Sequence, residues 1–554
     1  MFAGPCRPPG SSRGPTYTPA MIPRARPRPW PRSRRGTAVL AAVVAALVAT
    51  IALVATPGVA AERTARILMG EPATLDPAAA GDAGSSAVIA QLFEGLTAID
   101  PTQTLRPALA ERWELRDGGR TVVFTLRDGL QFSDGSSLTA DDVRRSWLRV
   151  IDPRAPSPLA SLLYDVEGAH AYAAGSGDAD AVGIRPAGST LEVRLTRPAA
   201  DFPAIAASPT LAVVPPAVGP DPTALQPGPR FVGSGGYLLA GRTTTSLTLQ
   251  ANPRYWAGPP AIGEVTLVSD IGGRSQVDLF AAGELDWAPI WDFDASWIAY
   301  DPDMGPSLRR WTELAVTYYG FETRRPPFDD PRVRRAFAAA VDWTRIVQLA
   351  DGDEALPATS MVPPGIPGRS DERFLLAFDP AAARRLLADA GYPDPAVFPP
   401  VTLVTTGTGY ERAFLAQLRE NLGVEVRVEV VDFDTYFTRL GGADSPDLWT
   451  MSWIADFPSP NDFLGILLGT GQPNNFGGWT SPAFDDAIAG AVGTADPAAA
   501  RRGYDAAERI LANEVPVIPV SYGASSALAR EGLLGAATNG LGILRLAGLA
   551  WADR

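Results

Sequence analysis

Residue types that carry much of enzyme chemistry are almost absent from this chain of 554 residues. It contains no lysine, a single cysteine (Cys6) and a single histidine (His170). Without lysine there is no Schiff-base nucleophile, no lysine general base and no Walker A phosphate loop. With one histidine and one cysteine, protease triads and most zinc or copper sites lack their parts. We therefore predict no catalytic residue, no metal site and no cofactor.

What chemistry remains is a pair of carboxylates, as in a glycosidase. No pair among the 61 acids stands out from the others. His170 lies in a stretch rich in glycine, alanine and aspartate, which is typical of a solvated loop. We do not predict an enzyme, and a glycosidase stays as the enzyme alternative.

Acids are also absent from residues 1–61, which carry eight arginines followed by an apolar run at 37–55 and small residues at 57–61. This order describes an export signal. The apolar run is long enough that an uncleaved membrane anchor is the alternative. In both cases the basic end stays in the cytoplasm, so the body is expected to be extracytoplasmic.

Cys6 precedes the apolar run, so the sequence does not predict a lipoprotein. Arg34-Arg35 leaves the twin-arginine and general export routes both open.

The body after residue 61 is acidic, because its 40 arginines face 61 aspartates and glutamates, a formal charge of −21. An acidic body argues against nucleic acid or anionic lipid as a partner.

The chain is too long for one ordinary core, so two or three lobes are expected. We expect a monomer.

Strand-like and helix-like segments alternate through the body, which predicts an α/β fold. Asp379 is an N-cap that precedes a proline and begins a helix. An apolar strand at 401–404, a helix at 411–422 and an alternating strand at 424–430 follow. Two strands joined through a helix imply parallel pairing. A further strand is expected at 447–453.

Residues 91–143 contain a dense series of turn and cap signals. Thr139 and Asp142 have the spacing of a capping box, and glycine turns at 117–119 and 133–135 flank strand-like runs. The stretch contains no candidate catalytic side chain, so its residues are predicted to have a structural role. In order it reads EGL, P-x-LAE-x-W, F-x-LR-x-G, F-S-DG and T-A-DDV, a pattern that resembles the opening of the family 5 solute-binding proteins. These are the peptide- and oligopeptide-binding receptors of ABC importers.

Similar segments continue along the chain to about residue 525: GSGGY at 233–237, NPRYW at 252–256, PPFDD at 326–330 and LLADAGY at 386–392. One departure is that Glu322 and Thr323 stand where the family usually has an asparagine. The resemblance covers nearly the whole body, so it is more specific than any single short motif.

The resemblance implies a bilobal, periplasmic-binding-protein-like clamp of type II with an extra inserted subdomain. The division it implies is a leader at 1–61, a first lobe of 62–97, 209–321 and 523–554, an inserted subdomain at 98–208 and a second lobe at 322–522. The chain would cross between lobes near 322 and 522, and these crossings would be the hinges.

The function implied is that of a receptor that captures peptides in the interlobe cleft and delivers them to an ABC permease. Separate cytoplasmic subunits would hydrolyse the ATP. Alternatives are the same fold binding a nickel chelate, an oligosaccharide or an opine, and a signalling receptor that does not transport.

The predicted ligand site lies where the strand 447–453 runs into Asp456, because ligands sit beyond the carboxyl ends of strands in open sheets. A carboxylate with the indole of Trp453 three residues earlier suits an ammonium group. The W-x-A-D-F pattern resembles the segment whose aspartate holds the peptide α-ammonium in oligopeptide-binding relatives. This implies that role for Asp456 and a pocket-wall role for Trp453. The alternative is that Asp456 caps the following turn.

The resemblance also places Tyr318, Tyr319 and Tyr522 near positions that line the pocket in such relatives. A core position is the alternative for each of them. Thr450 stands where some oligopeptide binders carry an arginine near the ligand carboxylate, which leaves the peptide length open.

Overall fold

The computed structural model describes residues 63–219, 223–351, 356–407, 409–442, 445–494 and 496–553. The leader predicted at 1–61, with its alternative as an anchor, lies outside them. Within these ranges no helix has both the length and the apolar surface needed to span a lipid bilayer.

The strands are numbered in chain order. They are Thr64–Leu68 (β1), Thr97–Ile99 (β2), Leu105–Pro107 (β3), Ala110–Arg116 (β4), Thr121–Leu126 (β5), Ile184–Ala187 (β6), Thr190–Arg194 (β7), Tyr237–Arg242 (β8), Ser246–Ala251 (β9), Glu264–Val268 (β10), Trp287–Ile290 (β11), Leu308–Phe321 (β12), Val401–Thr405 (β13), Val426–Val430 (β14), Leu448–Ile454 (β15), Val517–Ala529 (β16), Leu533–Leu534 (β17) and Ala550–Trp551 (β18).

The α-helices are named by their bounds. They are Ala83–Leu92, Ala140–Val150, Ala169–Ala173, Phe202–Ile205, Gln276–Ala281, Asp292–Ile298, Pro331–Ala339, Trp343–Asp351, Pro380–Asp389, Glu411–Leu422, Phe433–Leu440, Pro482–Val492 and Pro497–Glu514.

One mixed sheet of ten strands organises the body, in the order β14-β13-β15-β12-β16-β11-β1-β10-β9-β8. The two long strands β12 and β16 pair antiparallel at its middle. The strands on one side of this pair come from residues 401–454, and those on the other side come from 64–68 and 237–290. The two flanks of the sheet are therefore connected to each other only through the central pair, β12 and β16. A separate four-stranded sheet, β4-β5-β7-β6, lies within residues 110–194.

The predicted α/β unit at 379–453 is confirmed. The Asp379 side chain accepts a hydrogen bond from the backbone N–H of Ala382 and begins the helix Pro380–Asp389. β13 and β14 are parallel and are joined through the helix Glu411–Leu422. β15 is parallel to β13 and antiparallel to β12, which places its carboxyl end beside the middle of the sheet.

The motifs at 91–143 are structural, as their sequence predicts. Thr139 and Asp142 form the expected capping box. Glu94 of the EGL turn is only 1% exposed, and its carboxylate accepts hydrogen bonds from the Arg545 guanidinium at 2.7 and 2.9 Å. The Tyr255 hydroxyl, from the NPRYW segment, donates to the same carboxylate at 2.6 Å. Two family motifs and the C-terminal segment thus meet in one buried ion pair.

The burial of Glu508, in the helix Pro497–Glu514, is expected to make the stability of the fold depend on pH. It is 4% exposed, and burial raises the pKa of its carboxyl to about 7, against weaker opposing hydrogen bonds from Met361 and Ser360. A raised folded-state pKa contributes stability below the unfolded value near 4.5, and this contribution is lost as the pH rises through 7. Glu508→Gln should therefore raise the free energy of unfolding by about 3 kcal/mol at pH 8 and by no more than about 0.5 kcal/mol at pH 4.5. Urea unfolding at the two pH values measures this, and an equal effect at both would contradict it.

Candidate functional site

The sheet brings three of the predicted site residues to one face. Trp453 on β15 lies directly opposite Val316 on β12, and Val316 lies opposite Tyr522 on β16. Residues opposite one another in a sheet project from the same face, and so do residues two apart on one strand. Trp453, Tyr318 and Tyr522 therefore share a face.

Tyr319 projects from the other face of the sheet. It is fully buried, and its ring lies 5.2 Å from the ring of Trp343 and 4.6 Å from that of Phe414, measured between centroids. Thr450, directly opposite Tyr319 on β15, shares this face, and its hydroxyl lies 3.0 Å from that of Thr405. The sheet separates both residues from Trp453.

Tyr318 and Tyr522 are buried, at 2% and 7% exposed. The Tyr522 hydroxyl accepts hydrogen bonds from the backbone N–H groups of Thr359 and Ser360, each at 3.0 Å, and donates to the Ser360 carbonyl at 3.1 Å. This hydroxyl holds the 359–360 segment against β16. In this structure Tyr522 is a packing and anchoring residue.

A second aspartate, Asp462, fixes the segment around Asp456. The Trp453 indole N–H donates to Asp462 Oδ2 at 2.9 Å, and the backbone N–H of Asp456 donates to the same oxygen at 3.2 Å. Asp462 is fully buried and begins the π-helical turn Asp462–Ile466. One carboxylate thus sets both the plane of the indole and the path of the chain that carries Asp456.

The Asp456 side chain is half-buried and makes no hydrogen bond or ion pair to any described residue. The turn that follows is held by other groups: Ser459 N–H donates to the Phe457 carbonyl, and Asn461 N–H donates to the Ser459 hydroxyl. Asp456 does not accept the capping hydrogen bond that the alternative interpretation requires. Its carboxylate is available to a ligand.

Burial and neighbouring carboxyl groups set the electrostatics around Asp456. Burial raises the pKa of Asp456 to about 6. Burial, followed by the negative charge of Asp456, raises the pKa of Asp462, to which Asp201 adds a smaller effect in the same direction. The nearby Arg197 is already bound to Asp165 by two hydrogen bonds of 2.7 Å. A ligand that supplies positive charge would relieve the repulsion among these carboxylates.

Metal binding has no support in the described part of the chain, where no group of three or more histidine, cysteine or acidic side chains is arranged to hold an ion. His170 is in the helix Ala169–Ala173, with its ring 5.0 Å from that of Tyr164. His170 is exposed to solvent, as its sequence predicts, but it lies in a short helix and not in a loop.

Asp462 is the residue of this site that the sequence analysis missed, and Asp201 is a further carboxyl group that raises the pKa of Asp462. Asp462 lies in a proline-rich loop without periodicity, and Asp201 is far away in the chain. A usable signal was the indole of Trp453, since a tryptophan at a strand end needs a hydrogen-bond acceptor and Asp462 is the next acid after Asp456.

Comparison with known proteins settles the family. Residues 104–475 match the model of the bacterial extracellular solute-binding proteins, family 5. The chain belongs to this family. It is 30% identical over 471 residues to the probable deoxycholate-binding periplasmic protein YgiS of Escherichia coli, which covers 82% of this chain and 86% of YgiS. It is 30% identical over 474 residues to the periplasmic oligopeptide-binding protein OppA of Salmonella typhimurium, covering 82% and 85%.

Solved structures of the family show the same fold. The Escherichia coli murein tripeptide binding protein MppA superposes with a TM-score of 0.76 at 26% identity, covering 89% of this chain and 99% of MppA. OppA of Burkholderia pseudomallei gives a TM-score of 0.75 at 24% identity, covering 89% of this chain and all of that one (100%). The predicted type II bilobal clamp is therefore confirmed.

Proposed function

We propose that this family 5 member is the extracytoplasmic receptor of an ABC importer and captures peptides by their N-terminal ammonium group. The observation that carries the proposal is the Asp456 carboxylate, half-buried and without a partner at the end of β15. An ammonium group placed there gains a charge-assisted hydrogen bond in a partly desolvated site. The indole of Trp453, held by Asp462, adds a cation–π surface next to it.

The relatives carry names for two unlike ligands, an oligopeptide and deoxycholate. Deoxycholate is an anion at neutral pH, and the Asp456 carboxylate, which ionises above a pKa of about 6, would repel the carboxylate of such a ligand. A peptide brings an ammonium group to the same place. The charge of the site therefore favours peptides.

We propose that β12 and β16 are the hinges, since they alone are shared by the two flanks of the main sheet. This keeps the proposed lobes at 62–97, 209–321 and 523–554 on one side and 322–522 on the other, with 98–208 inserted. Closure around a peptide buries it, and the closed form is what a permease would recognise. The receptor acts as an exported monomer and leaves its ligand chemically unchanged.

The test of this function is a thermal-shift titration of the purified protein with tripeptides that have a free or an acetylated N-terminus. The free peptides should raise the melting temperature, because a ligand that binds only the folded protein stabilises it. The acetylated peptides should not. Equal shifts with both would contradict ammonium recognition.

The affinity for a free peptide should depend on pH in the direction set by Asp456. Only the ionised carboxylate pairs with an ammonium group, and this carboxyl ionises above a pKa of about 6. The dissociation constant should therefore rise about tenfold between pH 7 and pH 5. Calorimetry at both pH values measures this, with Asp456→Asn as the pH-independent control. A flat profile for the unaltered protein would rule out Asp456 as the group that pairs.

A further inference from the structure

A cavity of about 310 Å³ lies outside the Asp456 site, and none of the predicted site residues lines it. Its walls come from the start of β3, from residues 200–204, from residues 458–460, and from the facing ends of the helices Pro482–Val492 and Pro497–Glu514. Most of the lining is apolar and includes Leu105, Ala204, Pro458, Val492 and Ala500.

One carboxylate, that of Asp201, lies in this apolar wall. Its Oδ2 accepts hydrogen bonds from the Ser459 hydroxyl at 3.1 Å and from the Asn461 side-chain amide at 3.4 Å. Its Oδ1 is buried and has no partner among the described residues. The nearest arginine along the chain, Arg197, donates two hydrogen bonds to Asp165. Asp201 therefore keeps one acceptor oxygen without a donor.

Other polar groups in the lining do not supply that donor. The Arg501 side chain is 46% exposed and lies 3.8 Å from Asp371, so it belongs to the solvated rim. Tyr504, which is 8% exposed, lies against Ser459. A buried carboxylate with an unmet acceptor is costly unless a cation or a hydrogen-bond donor reaches it.

We propose that this cavity is a second ligand site, which binds a primary ammonium group carried on a compact apolar body. The ammonium would bind beside the Asp201 carboxyl group, and the alanine, proline, leucine and valine side chains would pack against the body. About 10–15 Å³ of such space is enough for one water molecule, so this cavity has room for a small organic ligand.

The position of the cavity predicts a consequence that rests on the proposed function and its lobes. Asp201 belongs to the proposed inserted subdomain, whereas residues 458–460 and the two helices belong to the proposed second lobe. An amine in the cavity touches both, so it stabilises the arrangement in which they meet. Because coupling between two sites is reciprocal, the amine should raise peptide affinity, and the peptide should raise amine affinity.

The test uses benzylammonium as the probe, with benzyl alcohol as its neutral control. Calorimetric titrations are made on the full chain and on Asp456→Asn, so that amine bound at the peptide site is not counted. Benzylammonium should bind Asp456→Asn, and benzyl alcohol should not. Adding Asp201→Asn should weaken benzylammonium binding at least about tenfold, the scale of one lost charged hydrogen bond. Asp303→Asn makes the same charge change at an exposed residue and should leave binding unchanged.

Ala500→Phe fills the cavity from the opposite wall and keeps Asp201, so it decides the matter if Asp201→Asn does not fold. It should abolish benzylammonium binding and leave peptide binding at Asp456 in place. The proposal is overturned if benzylammonium fails to bind Asp456→Asn, if benzyl alcohol binds equally, or if Asp201→Asn and Ala500→Phe bind like their parent. If the amine binds but peptides do not, the proposed peptide function is wrong and the proposed second site is still supported.

Discussion

Replacing Asp456 with asparagine should weaken the binding of a free tripeptide at least about tenfold, because a hydrogen bond to a charged group contributes about 1.5–3 kcal/mol. The asparagine keeps the size of the side chain and the backbone N–H that donates to Asp462. The loss is therefore electrostatic and not a loss of local structure. Isothermal titration calorimetry at pH 7.5 measures it.

The matched control for Asp456→Asn is an N-acetylated form of the same peptide, which has no ammonium group to lose. Both proteins should bind the acetylated peptide with the same weak affinity. Asp303→Asn, an equal charge change at an exposed residue, should bind the free peptide like the unaltered protein. If Asp456→Asn retains full affinity for the free peptide, Asp456 is not the ammonium partner.

Replacing Arg545 with methionine should lower the free energy of unfolding by about 3–5 kcal/mol, the cost of leaving a buried charge without its partner. Glu94 is 1% exposed, and both of its carboxylate oxygens accept from Arg545. Tyr255 alone would then remain to satisfy the carboxylate. Urea unfolding followed by fluorescence measures the change.

The double variant Glu94→Gln/Arg545→Met separates the pair from the packing of the arginine stem. It should recover part of the loss, because the uncompensated charge is gone. Arg502→Met removes an exposed guanidinium 4.0 Å from Asp496 and should change stability by no more than about 0.5 kcal/mol. Additive effects of the two substitutions in the double variant would show that the ion pair does not stabilise the fold.

Much of the fold follows from local chemistry that the sequence displays. The Asp379 cap, the Thr139–Asp142 capping box and the parallel β13–β14 pair all depend on residues near one another in the chain. The opposite faces of Tyr318 and Tyr319 also follow from strand alternation, once both are known to lie in β12. These features need no long-range information.

The environment of Asp456 required the structure. That Trp453 bonds to Asp462 depends on the path of an irregular loop, which no periodicity predicts. The contact between Asp201 and Ser459 joins residues 258 positions apart in the chain. Side chains that meet through the packing of distant segments leave no spacing pattern, so the sequence predicted Asp456 as a ligand residue but not the carboxyl groups near it.

The most direct test of the account is a crystal structure of the protein with a bound tripeptide that has a free N-terminus. The account predicts an intact peptide between the two lobes, with its ammonium nitrogen within about 3 Å of the Asp456 carboxylate and beside the Trp453 indole. A peptide whose ammonium lies away from Asp456, or one found cleaved, would contradict it.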